Sequence, residues 1–216
     1  MSKKVLVILS GCGVYDGSEI HEAVITLVAL SAAGADVTCA APNKAQMHVV
    51  NHASGDEMAE SRNVMVESAR ISRGNIADLA AVHADGFDAV FLPGGFGAAK
   101  NLCTFATEGP DCSIDGDVNR LLQAFHAAGK PIGAVCISPA VVVKSLGAVT
   151  VTIGQDEGTA AALQAMGGTH APRAVTECHV DAENKVVTAP AYMLDAPLHE
   201  IATGIQAAVT ETLRLA

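Results

Sequence analysis

The 216-residue chain is predicted to fold as an α/β protein, a doubly wound and mostly parallel sheet sandwiched by helices. Three observations carry that prediction. Short runs rich in Val, Ile, Leu and Ala alternate with helical patterns along the whole length. The apolar runs end in glycine- or proline-containing turns, at Gly11, Pro42, Pro93 and Pro190. No internal repeat, linker or low-complexity tract breaks the alternation, and the length suits one domain over residues 1–216.

Taken in order, Lys4 to Leu9 reads as a first, central strand. It runs into the glycine-rich loop Ser10-Gly11-Cys12-Gly13-Val14-Tyr15-Asp16-Gly17. A Gly-x-Gly-x-x-Gly dinucleotide fingerprint would need glycine at position 16, which is Asp, and no Gly-Lys-Ser/Thr follows, so neither phosphate-binding loop is present. Ser18 opens a helix to about Ala33, stopped by Gly34, with an apolar stripe at 20, 23, 24, 27, 28 and 30. Asp36 to Ala41 is a second strand. Residues 43–75 form a polar excursion at a sheet edge, with β-like pieces at Val49-Val50 and Asn63–Val66.

A short helix is expected over Ile76–His83 and a strand over Phe87–Leu92, ending in Pro93-Gly94-Gly95. Asn101 to about Asp115 is loop-like, and Asp117–Ala128 is a helix closed by Gly129. Pro131–Val135 is a small apolar strand, followed by a helix to Ser145 with Ser138 in a capping position and Pro139 at its first residue. A strand over Val149–Ile153 and a helix over Gly158–Met166 follow. Ala174–Val180 and Lys185–Ala189 make a hairpin, and a helix over Pro197–Leu213 covers one face.

Composition narrows the function. The net charge is −10 with no Lys/Arg-rich run, which argues against nucleic acid or an anionic membrane surface as partner. No apolar stretch is long enough to span a bilayer. Read as a signal peptide, the start is too short in its apolar part and lacks an Ala-x-Ala site. Six cysteines occur without a Cys-x-x-Cys pair, so neither zinc nor thioredoxin chemistry is indicated, and scattered thiols point to a cytoplasmic location. His21-Glu22 is followed by Ala-Val-Ile, which removes a zincin helix. No metal or organic cofactor is expected.

Three features follow strand ends, where ligands bind in such folds. Cys136 lies between a buried strand and a helix N-terminus, the placement of a nucleophile elbow, where the helix end favours thiolate. A free cysteine in such a chain is also commonly a small buried hydrophobe. Gly94-Gly95 can turn backbone N–H groups into the crevice to hold an oxyanion, or make a plain tight turn. Glu22, in the first turns of the first helix, is either a solvated carboxylate or one aimed over the strand ends, with Glu19 the solvent-facing member of the pair.

Glu22, Leu92–Leu102 (LPGGFGAAKNL) and Ala134–Val142 (AVCISPAVV) together resemble the ThiJ/PfpI superfamily, whose fold is flavodoxin-like, or class I glutamine amidotransferase-like. Ser10–Val24, the 43–75 excursion and Thr188–Leu194 (TAPAYML) resemble its ElbB branch, described as glyoxalase-like and isoprenoid-biosynthesis-associated. The superfamily hosts hydrolases, glyoxalases, chaperones and redox sensors, so fold alone does not choose among them. The resemblance implies Cys136 as nucleophile, Glu22 as its protonated partner, and the N–H groups of Gly95 and Ile137 as oxyanion hole. It implies a homodimer and a weak glyoxalase III-type lyase turning small 2-oxoaldehydes such as glyoxal and methylglyoxal into 2-hydroxyacids. The alternative is a redox-sensing or binding, chaperone-like member with an oxidisable Cys136 and little turnover. Protease-like relatives carry His after the cysteine where this chain has Ile137, and amidotransferase relatives carry His-x-Glu where it has His199-Glu200-Ile201. Both of those readings weaken. His170 and His179 are the other histidines considered as partners of Cys136.

Overall fold

A computed structural model of the chain describes residues 2–216. Seven strands make the main sheet: β1 (Lys4–Ile8), β2 (Asp36–Ala41), β3 (Ala77–Asp78), β4 (Ala89–Leu92), β5 (Ile132–Val135), β8 (His179–Asp181) and β9 (Val186–Ala189), in the order β3-β2-β1-β4-β5-β9-β8. Every pairing is parallel except β8 with β9. Two further strands, β6 (Thr150–Val151) and β7 (Thr169–His170), form a separate parallel pair. The expected α/β fold is the one observed.

Alternation along each strand sends side chains to opposite faces. Leu6, Ile8, Val90 and Leu92 join one core cluster, with Leu121, Leu122 and Phe125 of α4 (Gly116–Ala127) and Val141–Val143 of α5 (Pro139–Leu146). Val5, Val7, Leu9 and Phe91 join the other, with Ala23 and Leu30 of α1 (Ile20–Ala32) and Ile201, Ile205 and Val209 of α7 (Leu198–Leu215). Strands covered on both sides must be apolar throughout, which is why β1, β4 and β5 carry no polar side chain after Lys4.

Several expectations are corrected. Asn63–Val66 is not a strand: Asn63 accepts from the Val66 N–H at 3.1 Å and caps α2 (Val64–Ile71), a helix whose β-branched start misleads propensity. Val50 and Ala45 make only isolated bridges, to Glu57 and Asn63. Ile76–His83 is not a helix but β3 followed by one 3₁₀ turn over Leu79–Ala81. The loop after Asn101 contains α3 (Phe105–Glu108). The helix expected at Gly158–Met166 is α6 (Glu157–Ala165). The apolar stripe of α1 splits: Ala23 and Leu30 are buried, whereas Ile20, Val24 and Val28 are exposed.

Candidate active site

Cys136 stands one residue beyond β5 with φ of 61°, a left-handed backbone that a non-glycine side chain adopts only under constraint. The constraint is visible. The Cys136 N–H donates to the Ala189 carbonyl at 3.0 Å, extending the β5–β9 ladder, while the Ser138 N–H turns back to Val135 O at 3.1 Å. Ser138 does not cap α5 with its side chain; its hydroxyl donates to the Pro93 carbonyl at 2.7 Å, joining the elbow to the Pro-Gly-Gly turn after β4.

That turn reaches the sulfur because it has no side chains. A Cβ on Gly94 would lie 2.3 Å from the Cys136 Cβ and 2.6 Å from Glu22 Oε2. Gly95 has φ of 97°, and its Cβ would strike the Glu19 nitrogen at 2.3 Å. The backbone N–H groups of Gly95 and Ile137 lie on the Cys136 side of the site and favour negative charge on its sulfur.

Glu22 comes from the first turn of α1 and is completely buried. Its Oε2 accepts from the Gly94 N–H at 2.9 Å and its Oε1 from the Tyr192 N–H at 3.2 Å. The carboxyl faces Cys136 across Gly94, whose Cβ would meet both side chains. Glu19 is not solvent-facing: it is buried, caps α1, and accepts from the Glu22 N–H at 2.7 Å. Burial and the nearby Glu19 charge push the Glu22 carboxyl up to about 8, against the Tyr192 and Gly94 N–H donors that favour its ionised form. The Cys136 thiol is also pushed well up, first by burial and then by Glu22. The helix end therefore does not by itself make a thiolate here; desolvation wins.

The four residues named from sequence are thus gathered at one point. Two contributors went unread. The Gly94 N–H holds Glu22, a role the paired glycines could have suggested. Tyr192 supplies a second N–H to the carboxyl, and its hydroxyl lies 2.7 Å from His21 Nδ1; no sequence spacing announces a contact between residues so far apart. His170 lies on β7 and His179 on β8, where its Nδ1 meets Arg173 at 2.9 Å; neither lines the space above Cys136. That space is a cavity of about 450 Å³ bounded by Val14, Phe96, Phe105, Ile137, Tyr192 and Met193 among others. Among the described residues, no cluster of His, Cys, Asp and Glu could hold a metal ion.

The sequence pattern of the DJ-1/PfpI family matches residues 3–192. The chain belongs to the DJ-1/PfpI family. Among family relatives, human glutamine amidotransferase-like class 1 domain-containing protein 3, mitochondrial, is 51% identical over 222 residues, covering 98% of this chain and 83% of that protein. The rat ES1 protein homolog, mitochondrial, is 50% identical, covering 98% of this chain and 84% of its own length. A solved structure of an isoprenoid biosynthesis protein with an amidotransferase-like domain from Ehrlichia chaffeensis superposes with a TM-score of 0.92 at 38% identity, covering 99% of this chain and all of that one. The cytoplasmic expectation is corrected by these relatives, two of which are named as mitochondrial. Free cysteines report a reducing environment and do not say which compartment provides it.

Proposed function

We propose that this DJ-1/PfpI protein is a glutathione-independent glyoxalase-like enzyme that converts 2-oxoaldehydes to 2-hydroxyacids. The observation that carries the reading is the buried Cys136–Glu22 pair, with two N–H donors on the carboxyl and the backbone of Gly95 and Ile137 beside the sulfur. Each proton distribution of the pair is then supported by backbone dipoles, which suits a site that must pass one proton back and forth.

After the pair loses one proton, the remaining proton rests mainly on sulfur, since the Cys136 thiol is held above the Glu22 carboxyl; the reactive form is the minor distribution of that state, with thiolate beside protonated Glu22. The thiolate attacks the aldehyde carbon, forming an S–C bond, and the carbonyl oxygen takes the Glu22 proton, giving a hemithioacetal and a Glu22 carboxylate. That carboxylate removes the C1 hydrogen, and the C–H electron pair makes an enediolate with C2. A proton passes between the adjacent oxygens. Glu22 then returns its proton to C2, and C1 becomes a thioester carbonyl. Water adds to C1 while its proton goes to Glu22, and the C–S bond breaks to release the thiolate and the 2-hydroxyacid. The net change is addition of one water, with no oxidant or reductant. The N–H groups of Gly95 and Ile137 stabilise negative charge, first on sulfur and then on the substrate oxygen.

The test measures glyoxal loss and glycolate formation for wild type, Cys136→Ala and Glu22→Gln. Both variants are expected to lose activity by a factor of about 10² or more, and equal rates in all three would sink the reading. Peroxide sensing would draw on the same Cys136 thiolate, and no separate observation favours it over turnover. An amidotransferase role lacks a base, since among the described residues no histidine lines the cavity. We also propose that the protein works as a homodimer: Ile20, Val24 and Val28 recur at helical spacing on the exposed face of α1. Val28→Glu should then shift the sedimentation-derived mass from dimer to monomer; a wild type that already sediments as a monomer would remove the proposal.

A further inference from the structure

The cavity over Cys136 is far larger than the smallest 2-oxoaldehyde needs. Its volume is about 450 Å³, whereas glyoxal would occupy on the order of a quarter of that, at roughly 30 Å³ for each atom-sized share of liquid. The remainder is not lined for water. Phe105, Phe96, Val14 and Met193 make apolar walls, and Tyr192 presents its ring while its N–H is committed to Glu22. A cavity of this size with apolar walls and few polar groups is shaped for an apolar group of the ligand.

The charge lining it is one-sided. Among the described residues that bound the cavity there is no lysine, arginine or histidine, and Asp156 is the one carboxylate. Asp156 caps α6, accepting from the Thr159 N–H at 2.7 Å, and Thr159 holds its carboxyl below the usual range and so ionised. Lys100, next in the chain to Ala99 of the lining, is not itself a lining residue: it donates to the Tyr15 carbonyl at 2.8 Å and lies 5.5 Å from the Phe96 ring centre. Asp156 gives the cavity one negative charge, which disfavours an anion, and no second carboxylate joins it to hold a cation. An uncharged substituent suffers neither effect.

We propose that the substrate is an uncharged 2-oxoaldehyde bearing an aryl or branched alkyl group, with the aldehyde at Cys136 and the apolar group between Phe105, Phe96 and Met193. This rests on the aldehyde chemistry proposed above and names its substrate class. Turnover of such a compound is the same water addition, so that phenylglyoxal would give mandelate.

The experiment compares kcat/KM for glyoxal, phenylglyoxal and 4-carboxyphenylglyoxal in wild type, Ala106→Phe and Asp156→Asn, with binding of acetophenone and benzoate followed by NMR on the same proteins. Ala106 borders the cavity, and a phenyl group there would fill it; asparagine caps a helix as well as aspartate does. Phenylglyoxal should exceed glyoxal by at least about tenfold, since a few buried carbons are worth that much discrimination. Ala106→Phe should cut this ratio by about tenfold. Asp156→Asn should raise the carboxylated substrate relative to phenylglyoxal by roughly threefold or more. A phenylglyoxal-to-glyoxal ratio near unity, or one unmoved by Ala106→Phe, overturns the proposal. If no aldehyde is consumed, the catalytic reading fails alone; acetophenone binding in preference to benzoate, weakened by Ala106→Phe, still supports an apolar uncharged ligand, and no acetophenone binding overturns that too.

Discussion

Replacing Gly94 by alanine should disable the site while leaving the fold in place. The new methyl would sit 2.3 Å from the Cys136 Cβ, 2.6 Å from Glu22 Oε2 and 2.9 Å from the Val135 carbonyl oxygen. Carbon atoms in contact prefer about 3.5–4.0 Å, so the sulfur-bearing residue and the carboxyl must separate from the turn by about 1 Å or more. Two of the three obstructing atoms belong to fixed structure: Val135 lies in β5, and Cys136 is bonded on to the β9 ladder through Ala189. Glu22 is the group that can yield, and moving it breaks its bond to the Gly94 N–H. Misplacement on that scale costs catalysis about 10²-fold. Overpacking should lower stability by about 1–3 kcal/mol, or some 2–12 °C in melting temperature for a chain of this size. The assay is glyoxal-dependent glycolate formation beside a thermal melt, with Gly116→Ala as control. Gly116 opens α4, its Cβ would meet nothing, and its φ is not in the left-handed range; alanine there should be neutral or stabilising by up to about 1 kcal/mol. A Gly94→Ala protein with wild-type turnover would falsify the idea that Cys136 and Glu22 act as one unit held by that turn.

Four further outcomes follow, three of them from the Cys136–Glu22 pair. Since the Cys136–Glu22 pair loses its first proton near the Glu22 value of about 8, kcat/KM for the aldehyde should rise with pH through that value and level off above it; a flat profile between about pH 6 and 9 contradicts the assignment. The same carboxyl is raised from 4.5 to about 8 in the folded state, so the folded protein binds one proton more than the unfolded chain between those values. Its contribution to stability is complete below about 4.5 and shrinks as pH rises to about 8, and Glu22→Gln should flatten that decline in a urea titration series. Glu22 also raises the Cys136 thiol by its charge, so Glu22→Gln should label faster with iodoacetamide at Cys136 near pH 8, as read by peptide mass spectrometry; unchanged labelling would place the two groups out of contact. Finally, Asn101→Ala should lower stability by about 2–4 kcal/mol in chemical denaturation. The buried amide donates to Ser10 O at 2.8 Å and Asp16 O at 2.9 Å and accepts from Met47 N at 2.9 Å, and all three partners would lose it; a loss under about 0.5 kcal/mol would mean that water replaces the side chain.

The fold was legible because its signals are local. Buried parallel strands must be apolar on both faces, and each ends in a turn that glycine or proline marks, so β1, β2, β4 and β5 could be read from their own residues. Cys136, Glu22, Gly95 and Ile137 could be singled out because strand-to-helix turns gather above one sheet edge. What escaped depends on partners distant in sequence. Glu19 was read as exposed because nothing near it shows that the Gly94 carbonyl takes its N–H at 2.9 Å and that its side chain turns back to Glu22. The Val64-Met65-Val66 run looks extended by propensity, and only the Asn63 cap and the long loop tied by Asn101 make it helical. The thiol was expected to be acidic from its helix end, whereas removing it from water outweighs that dipole.

The left-handed backbone at Cys136 has a consequence for laboratory evolution. Glycine occupies such a conformation without the penalty of about 1 kcal/mol or more that other residues carry. A library screened for heat resistance alone would therefore find Cys136→Gly permissible and would have no reason to retain sulfur there. Thermostable descendants of this chain should be sequenced at position 136 before any of them is assayed, because hardiness and inertness can arrive through the same codon.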